Sequence, residues 1–282
     1  MKTPRETTRW MMPDAQSLER ALSRTTHLGI GAHQDDLEFM ALHGILACYQ
    51  KPDAWFGGVT VTDGSGSSRC GDYADCSDEE LMAARALEQE NAARIGQYSF
   101  IAQLGYPSAV VKDAETPDLL EDLIRILRAT RPEVVYTHSP ADKHETHIGV
   151  MAAVLKAVRA LPPGDRPGRV LGCEVWRDLD WMPDSAKVVL DVGGHENLAA
   201  ALNGVFDSQI AGGKRYDLAV TGRRRANATF FDSHSTDQLD QAWFAMDLTP
   251  LAHRDDLDVT TFVLDLVRAF SEDVESKLSR FF

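Results

Sequence analysis

The chain has 282 residues, 44% hydrophobic and 26% charged, enough for one large α/β domain or two modest ones and ordinary for a soluble globular protein. Its 43 acidic against 29 basic residues leave a formal net charge of -14, which excludes the basic face that nucleic acid or an anionic membrane requires. No apolar run approaches a membrane span, and Met1-Lys2-Thr3-Pro4-Arg5-Glu6 lacks the apolar core of a signal peptide. The four cysteines (Cys48, Cys70, Cys76 and Cys173) form no CxxC pair, so the expectation is a cytoplasmic protein with reduced thiols.

In chain order, the apolar run 26–32 (THLGIGA) predicts a buried strand ending at His33. Residues 38–49 then show helical spacing through Met40, Leu42, Ile45, Leu46 and Tyr49. The run 55–62 is a second strand, closed by the loop Asp63-Gly64-Ser65-Gly66-Ser67-Ser68. Ser77-Asp78-Glu79-Glu80 reads as a capping box opening a helix to residue 95. Residues 99–104 predict a third strand, 118–129 an amphipathic helix, 132–137 (PEVVYT) a fourth strand and 146–161 a helix. This β-α alternation predicts a mostly parallel sheet with helices on both faces. Beyond the breaker cluster 162–168, read as a surface turn, 169–176 and 187–192 look like strands and 196–206, 217–229 and 259–277 like helices. We therefore expect a single domain over 1–282 whose part beyond about residue 210 is a helical extension.

Ligands of open α/β sheets sit outside the carboxyl ends of the strands, and two chemically loaded runs fall there. His33-Gln34-Asp35-Asp36 follows the first strand, and the run from His138 to His147 follows the fourth. His33 and Asp36 stand three apart at a strand-to-helix turn. His144 and His147 stand three apart at a helix start and share a face. One imidazole of the second run would complete a His-Asp-His set of the kind that holds a catalytic zinc. Asp35 would stand beside the metal as a proton acceptor, and His144 could hydrogen-bond a developing oxyanion and protonate a leaving amine. Each run alone has a plain reading, a helix cap with a spare charge or a surface HxxH. Their occurrence together at two strand ends points to a metal or hydrolytic site.

Ala32-His33-Gln34-Asp35-Asp36-Leu37-Glu38 resembles the AHPDDE signature of the PIG-L (LmbE-like) zinc-dependent de-N-acetylase family, and Asp142-Lys143-His144-Glu145-Thr146-His147 its DRHPDH-type signature. Thr62-Asp63-Gly64, Arg85-Ala86-Leu87-Glu88 with Ala92 to Gly96, and Ser208-Gln209 are similar to its lesser motifs, so the resemblance runs from about residue 26 to 210. It implies a Rossmann-like α/β fold and hydrolysis of an N-acetyl group, typically from an N-acetylglucosamine moiety. It implies Zn2+ on His33, Asp36 and His147, Asp35 as general base, and His144 as oxyanion stabiliser and leaving-group acid. Gln34 stands where the family has Pro, Leu37 where it has an acid, and Glu145 and Thr146 where it has Pro and Asp. These departures motivate an alternative, a non-catalytic metal- or sugar-binding member of the same fold. A dinucleotide site is disfavoured, because Gly29-Ile30-Gly31 lacks the third glycine of GxGxxG.

The basic islands 212–216 and 222–227 read plainly as solvated helix faces with ion pairs. The functional reading is an anion site on these islands, with Lys214 and Arg215 as its first candidates, for a sugar phosphate or other acidic sugar. Arg69 is a candidate to close over substrate from the 63–69 loop, against its reading as a plain loop arginine. His43 lies two turns beyond Asp36 and is a candidate to face the pocket. His234 reads as structural or surface, and Trp176, Trp181 and Trp243 as packing residues able to stack on a sugar. The expected partner is a small N-acetylated molecule, with no nucleic acid, no membrane, and a homo-oligomer left open.

Overall fold

The computed structural model describes residues 8–282; the run from Met1 to Glu6 read above lies outside the described residues. The chain runs β1 (Arg9–Met11), α1 (Leu18–Ser23), β2 (His27–Gly31), α2 (Asp36–Met40), α3 (Leu42–Cys48), β3 (Phe56–Thr62), α4 (Asp78–Ile95) and β4 (Phe100–Tyr106). It continues with α5 (Ser108–Val111), α6 (Pro117–Thr130), β5 (Val134–His138), α7 (Glu145–Arg159), β6 (Arg169–Cys173) and β7 (Lys187–Asp191). The last elements are α8 (Glu196–Gly204), α9 (Asp207–Ile210), α10 (Tyr216–Phe230), β8 (Ala242–Asp247), α11 (Thr249–His253) and α12 (Val259–Leu278).

One eight-stranded sheet has the order β1-β4-β3-β2-β5-β6-β8-β7. Strands β4, β3, β2, β5 and β6 are parallel, whereas β1 and β8 run antiparallel to their neighbours. The fold class is thus the α/β class expected, with a mostly parallel sheet. From β2 the chain builds outward through β3 and β4, then returns to place β5 on the other side of β2. The topological switch therefore lies between β2 and β5, where such sheets open a crevice at their carboxyl ends.

Burial on both faces explains the long apolar strands. Leu28, Ile30, Val59, Val61, Leu104 and Val135 pack on one side with α1, α6, α7 and α11. Phe56, Ile101, Tyr136, Leu171, Trp243 and Ala245 pack on the other with α2, α3, α8 and α10. Small residues in β2 let α2 lie close: a Cβ on Gly31 would sit 3.0 Å from the Cβ of Asp36. Leu37, which replaces an acid of the family signature, is buried against Gly29 and Gly58 on this apolar face.

Three features differ from the sequence expectation. The helix expected over 38–49 is split at Ala41, whose φ of -108° and ψ of 16° leave the helical basin. All five residues of α2 are buried, while α3 turns so that the His43 ring meets Tyr136. The part beyond 210, expected to be helical, also supplies β8, inserted between β6 and β7. The short strand β1 was not foreseen. The Ser77 capping box is present: its side chain accepts from the Glu80 N–H, and the Glu80 carboxylate accepts from the Ser77 N–H. The four cysteines are free. Among the described residues no helix is long and apolar enough to cross a membrane.

Candidate metal centre and active site

The two sequence runs converge at the β2/β5 switch. His33 Nδ1 lies 3.2 Å from Asp36 Oδ2, His147 Nε2 lies 3.4 Å from Asp36 Oδ1, and the two ring nitrogens are 3.2 Å apart. Four ligands at zinc–ligand distances of about 2.0–2.1 Å stand about 3.3 Å from one another in a tetrahedron. These spacings match the edges of such a shell, with Asp36 reaching His33 through Oδ2 and His147 through Oδ1. Two imidazoles and one carboxylate also suit a borderline cation such as zinc. Burial holds the His33 imidazole down at about 4, so its ring is neutral and able to ligate at neutral pH. Burial opposes ionisation of Asp36, but His147 and His138 outweigh it and keep this carboxyl well below the ordinary range.

Supporting contacts aim these donors. Asp36 Oδ2 accepts the His33 backbone N–H at 2.7 Å, which folds the turn onto itself. Asp142 Oδ2 lies 3.2 Å from His147 Nδ1 and turns Nε2 toward the cluster. The other Asp142 oxygen accepts the His144 backbone N–H, and the Trp176 N–H reaches Oδ2. Carboxylate–histidine pairs of this kind fix ring orientation and raise ligand basicity. Asp142→Asn is expected to weaken metal affinity by about 10–100-fold without unfolding the chain. Competition with a chromophoric chelator measures this, and unchanged affinity would show that Asp142 does not orient His147.

His138 was not singled out from the sequence. It ends β5 fully buried, its Nε2 3.4 Å from Asp36 Oδ2 and accepting the Ala32 N–H at 2.9 Å. Its ring stacks on His147 with centroids 3.8 Å apart, and burial lowers its imidazole to about 4. Among the described residues two overlapping sets bring their donor atoms within 4.8 Å of one another, Asp36 with His138 and His147, and His33 with His144 and His147. The signal available in the sequence was position: His138 is the last residue of the strand that faces the switch.

Asp35 lies beside the cluster in an uncommon backbone state, φ 112° and ψ -31°. Non-glycine residues there are strained and concentrate at functional sites. Helix α4 holds it from above. Gln89 accepts the Asp35 N–H at 3.3 Å, and the buried Arg85 donates to Gln34 O at 2.7 Å while standing 3.7 Å from the Asp35 carboxylate. Burial, with Asp36 and Glu38 adding to it, pushes the Asp35 carboxyl well above the ordinary range against the opposing Arg85. Gln34, where the family has proline, donates its side-chain amide to Thr62 O and Gln103. The lesser motifs also meet: Glu88 accepts from the Ser208 N–H and hydroxyl at 2.7 and 2.6 Å, which ties α9 to α4 and leaves Gln209 on the cleft wall.

Glu38 extends this buried polar array. Its Oε1 accepts from Tyr98 and Gln89, and Oε2 has no hydrogen-bond partner. Burial raises its carboxyl to about 7, against those hydrogen bonds. The folded state therefore disfavours the ionised form, and stability falls as pH rises from the usual Glu range through about 7. Glu38→Gln, which retains an acceptor, is expected to stabilise the fold by about 3 kcal/mol at pH 8 and about 1 kcal/mol at pH 5. Denaturant titrations at the two pH values read the difference, and an equal effect at both would refute this origin.

His144 stands at the entrance to α7, its ring 4.6 Å from His147 and 6.2 Å from Trp176, and it lines a cleft of about 590 Å³ with His33, Asp35 and Asp36. Burial lowers its imidazole. Its Nδ1 has no hydrogen-bond partner, and neither has Thr146 Oγ1, at the position where the family signature carries Asp. The remaining candidates separate. Lys214 lines the cleft, whereas Arg215 is exposed and ion-paired to Asp217 away from it. Arg69 is bonded to Asp78 and to Ser65 O and does not line the cleft. His43 bonds Tyr136, and His234 is exposed; neither lines the cleft. Arg223, from the second basic island read as an anion site, lines it with Trp243 and with Lys112, which the sequence had not singled out.

The family described as "PIG-L: GlcNAc-PI de-N-acetylase" matches residues 28–158. No curated protein matches the chain. Among solved structures, the chain is similar to the conserved protein TT1542 from Thermus thermophilus (TM-score 0.62, 20% identity, covering 78% of this chain and 93% of that one). It is also similar to GalB, the 4-carboxy-2-hydroxymuconate hydratase from Pseudomonas putida (0.61, 19%, 80% and 96%). A third is the N,N'-diacetylchitobiose deacetylase from Pyrococcus horikoshii (0.57, 19%, 81% and 85%). At these identities the likenesses show a shared fold. The matched stretch, residues 28–158, holds His33, Asp35, Asp36, His138, His144 and His147, and so resembles the PIG-L family where the site lies.

Proposed function

We propose that the chain is a zinc-dependent hydrolase that removes an N-acetyl group from an amino sugar or related small molecule. The observation that carries this reading is the convergence of His33 Nδ1, Asp36 and His147 Nε2 within 3.2–3.4 Å of one another, with the raised carboxyl of Asp35 beside them at the cleft floor. The family match over 28–158 and the deacetylase among the fold neighbours support it.

A divalent metal held by these donors supplies Lewis acidity, acidifying water and polarising the acyl carbonyl. Asp35, buried and next to the donor set, takes the proton of the attacking water and so acts as general base. His144 lines the same cleft and holds the carbonyl oxygen as negative charge develops on it. The proton taken by Asp35, or one carried by His144, then passes to the amine as the C–N bond breaks, leaving acetate and the free amine. The orphaned His144 Nδ1 and Thr146 Oγ1 favour one alternative, a member that binds metal or sugar without turnover, because no carboxylate orients the His144 ring. Acetate release from a panel of N-acetylated sugars by zinc-loaded protein tests the two. Release that depends on metal supports the hydrolase, and binding without release from any member supports the alternative.

A further inference from the structure

We infer that the cleft is built for an anionic substrate, whose phosphate or carboxylate seats between Lys214 and Arg223 at the end of the cleft walled by Trp176. This rests on the hydrolase reading above for the identity of the reacting group, but the anion seat itself can be tested apart from turnover. The chain as a whole is acidic, at -14. The cleft reverses that balance: Arg85, Lys112, Lys214 and Arg223 line it, against the carboxylates of Asp35 and Asp36 alone. Arg85 is committed, donating to Gln34 O and Gly64 O. Lys112 stands 3.8 Å from Glu145. Lys214 and Arg223 have no carboxylate within 4 Å among the described residues.

The direct contacts of these two cations are neutral. The Lys214 ammonium lies 5.2 Å from the Trp176 ring centroid. Arg223 donates one nitrogen to Val175 O, and its guanidinium stands 5.7 Å from the Trp243 ring. Glu174, beside Val175, feels the Arg223 charge but is hydrogen-bonded to the Leu179 and Phe244 N–H groups and the Asn227 amide, not to Arg223. Backbone and ring contacts orient a cation without neutralising it, so both charges remain available to a ligand. A cleft walled by one sign of charge concentrates the opposite ion, and a guanidinium with free N–H groups matches phosphate or carboxylate geometry. The neighbouring Arg215 makes the contrast: it is paired through two nitrogens to Asp217 and contributes nothing here.

The test compares acetate release from neutral N-acetylglucosamine, its 6-phosphate and the carboxylated N-acetylmuramic acid. At least one anionic member is expected to exceed the neutral sugar by about 10-fold or more in kcat/KM, and which one identifies the anion. Lys214→Ala and Arg223→Ala are each expected to raise KM for that substrate and collapse its advantage. Equal use of neutral and anionic sugars, or an advantage that survives both substitutions, would overturn the assignment. Should none release acetate, the hydrolase reading fails, and the seat is read with inorganic phosphate: a rise in Tm lost in the Lys214→Ala/Arg223→Ala double variant supports it, while equal shifts, or none, refute it.

A second inference rests on α12. None of its residues is buried, and Leu264, Val267, Phe270, Val274 and Leu278, with Phe281 in the turn that follows, are exposed at 38–81%. Leu264, Val267, Ser271, Val274, Leu278 and Phe281 follow alternating spacings of three and four, the seam of a helix pair. We propose that a second copy of this chain covers that seam in antiparallel register, Leu264 against Phe281 and Val267 against Leu278 of the other copy. In that register Arg268 of each copy, which bonds Asp265 on its own helix, can turn to Glu275 of the other, whereas parallel pairing sets Phe270 against Glu275. Sedimentation of the full chain is expected to show a dimer that Val274→Glu separates into monomers of unchanged far-UV circular dichroism. Arg268→Glu and Glu275→Arg should each weaken it and together restore it. A monomeric wild type, a dimer indifferent to Val274→Glu, or no rescue by the double exchange would refute the pairing.

Discussion

Asp35→Asn is expected to lower kcat by about 10²–10⁴ while metal content and fold are kept. The substitution removes the carboxylate proposed as proton acceptor and almost nothing else. Asparagine is among the few side chains that tolerate a positive φ, so the 112° at this position is not a barrier to folding. The Gln89 contact is made by the backbone N–H and survives the exchange. Burial already disfavours the Asp35 carboxylate, so its neutral replacement carries no penalty there, although the interaction with Arg85 is lost. Three readouts separate the outcomes: turnover, zinc per chain by elemental analysis, and Tm. Turnover near wild type would reject Asp35 as base, and lost metal would make it a ligand instead.

Asp36→Ala and His147→Ala are expected to reduce bound zinc from one per chain to a trace, with turnover below detection. Each takes one of three donors spaced 3.2–3.4 Å apart, and two donors do not hold a catalytic metal against water. Asp36→Ala has a further cost, because the His33 N–H loses its acceptor and the carboxylate facing three imidazoles is gone. A destabilisation of about 1–3 kcal/mol accompanies the loss of a buried acceptor. His147→Ala strips a ring stacked between His138 and His144, so thermal melts accompany the metal analysis. Stoichiometric zinc in Asp36→Ala would move the site to the His33, His144 and His147 group, and stoichiometric zinc in His147→Ala would place it outside all of these sets.

Much of the fold was legible because its signals are local. The strand preceding His33, the capping box at Ser77 and the α/β alternation through α7 are set by spacing and by the chemistry of a few adjacent residues. Strand β8 was not, since a six-residue apolar run suits a buried helix as well as a strand. Its insertion between β6 and β7 is a long-range pairing that decided the matter. The mid-helix break at Ala41 likewise follows from α2 being enclosed on all sides, which no period in the sequence announces.

The run His33-Gln34-Asp35-Asp36 and the pair His144 and His147 were written in the sequence as donors and partners, because their chemistry depends on residue type at short spacing. That they meet, that His138 joins them 3.4 Å from Asp36, and that Asp142 aims His147, was decided by strand order, which alone brings β2 and β5 side by side. The basic islands show the same limit within one helix. Arg223, Arg224 and Arg225 are consecutive, yet one lines the cleft, one is buried on Glu38 O, and one is exposed beside Glu196. Successive side chains on a helix point about 100° apart, and only the docking of α10 against the sheet fixes which of them looks inward.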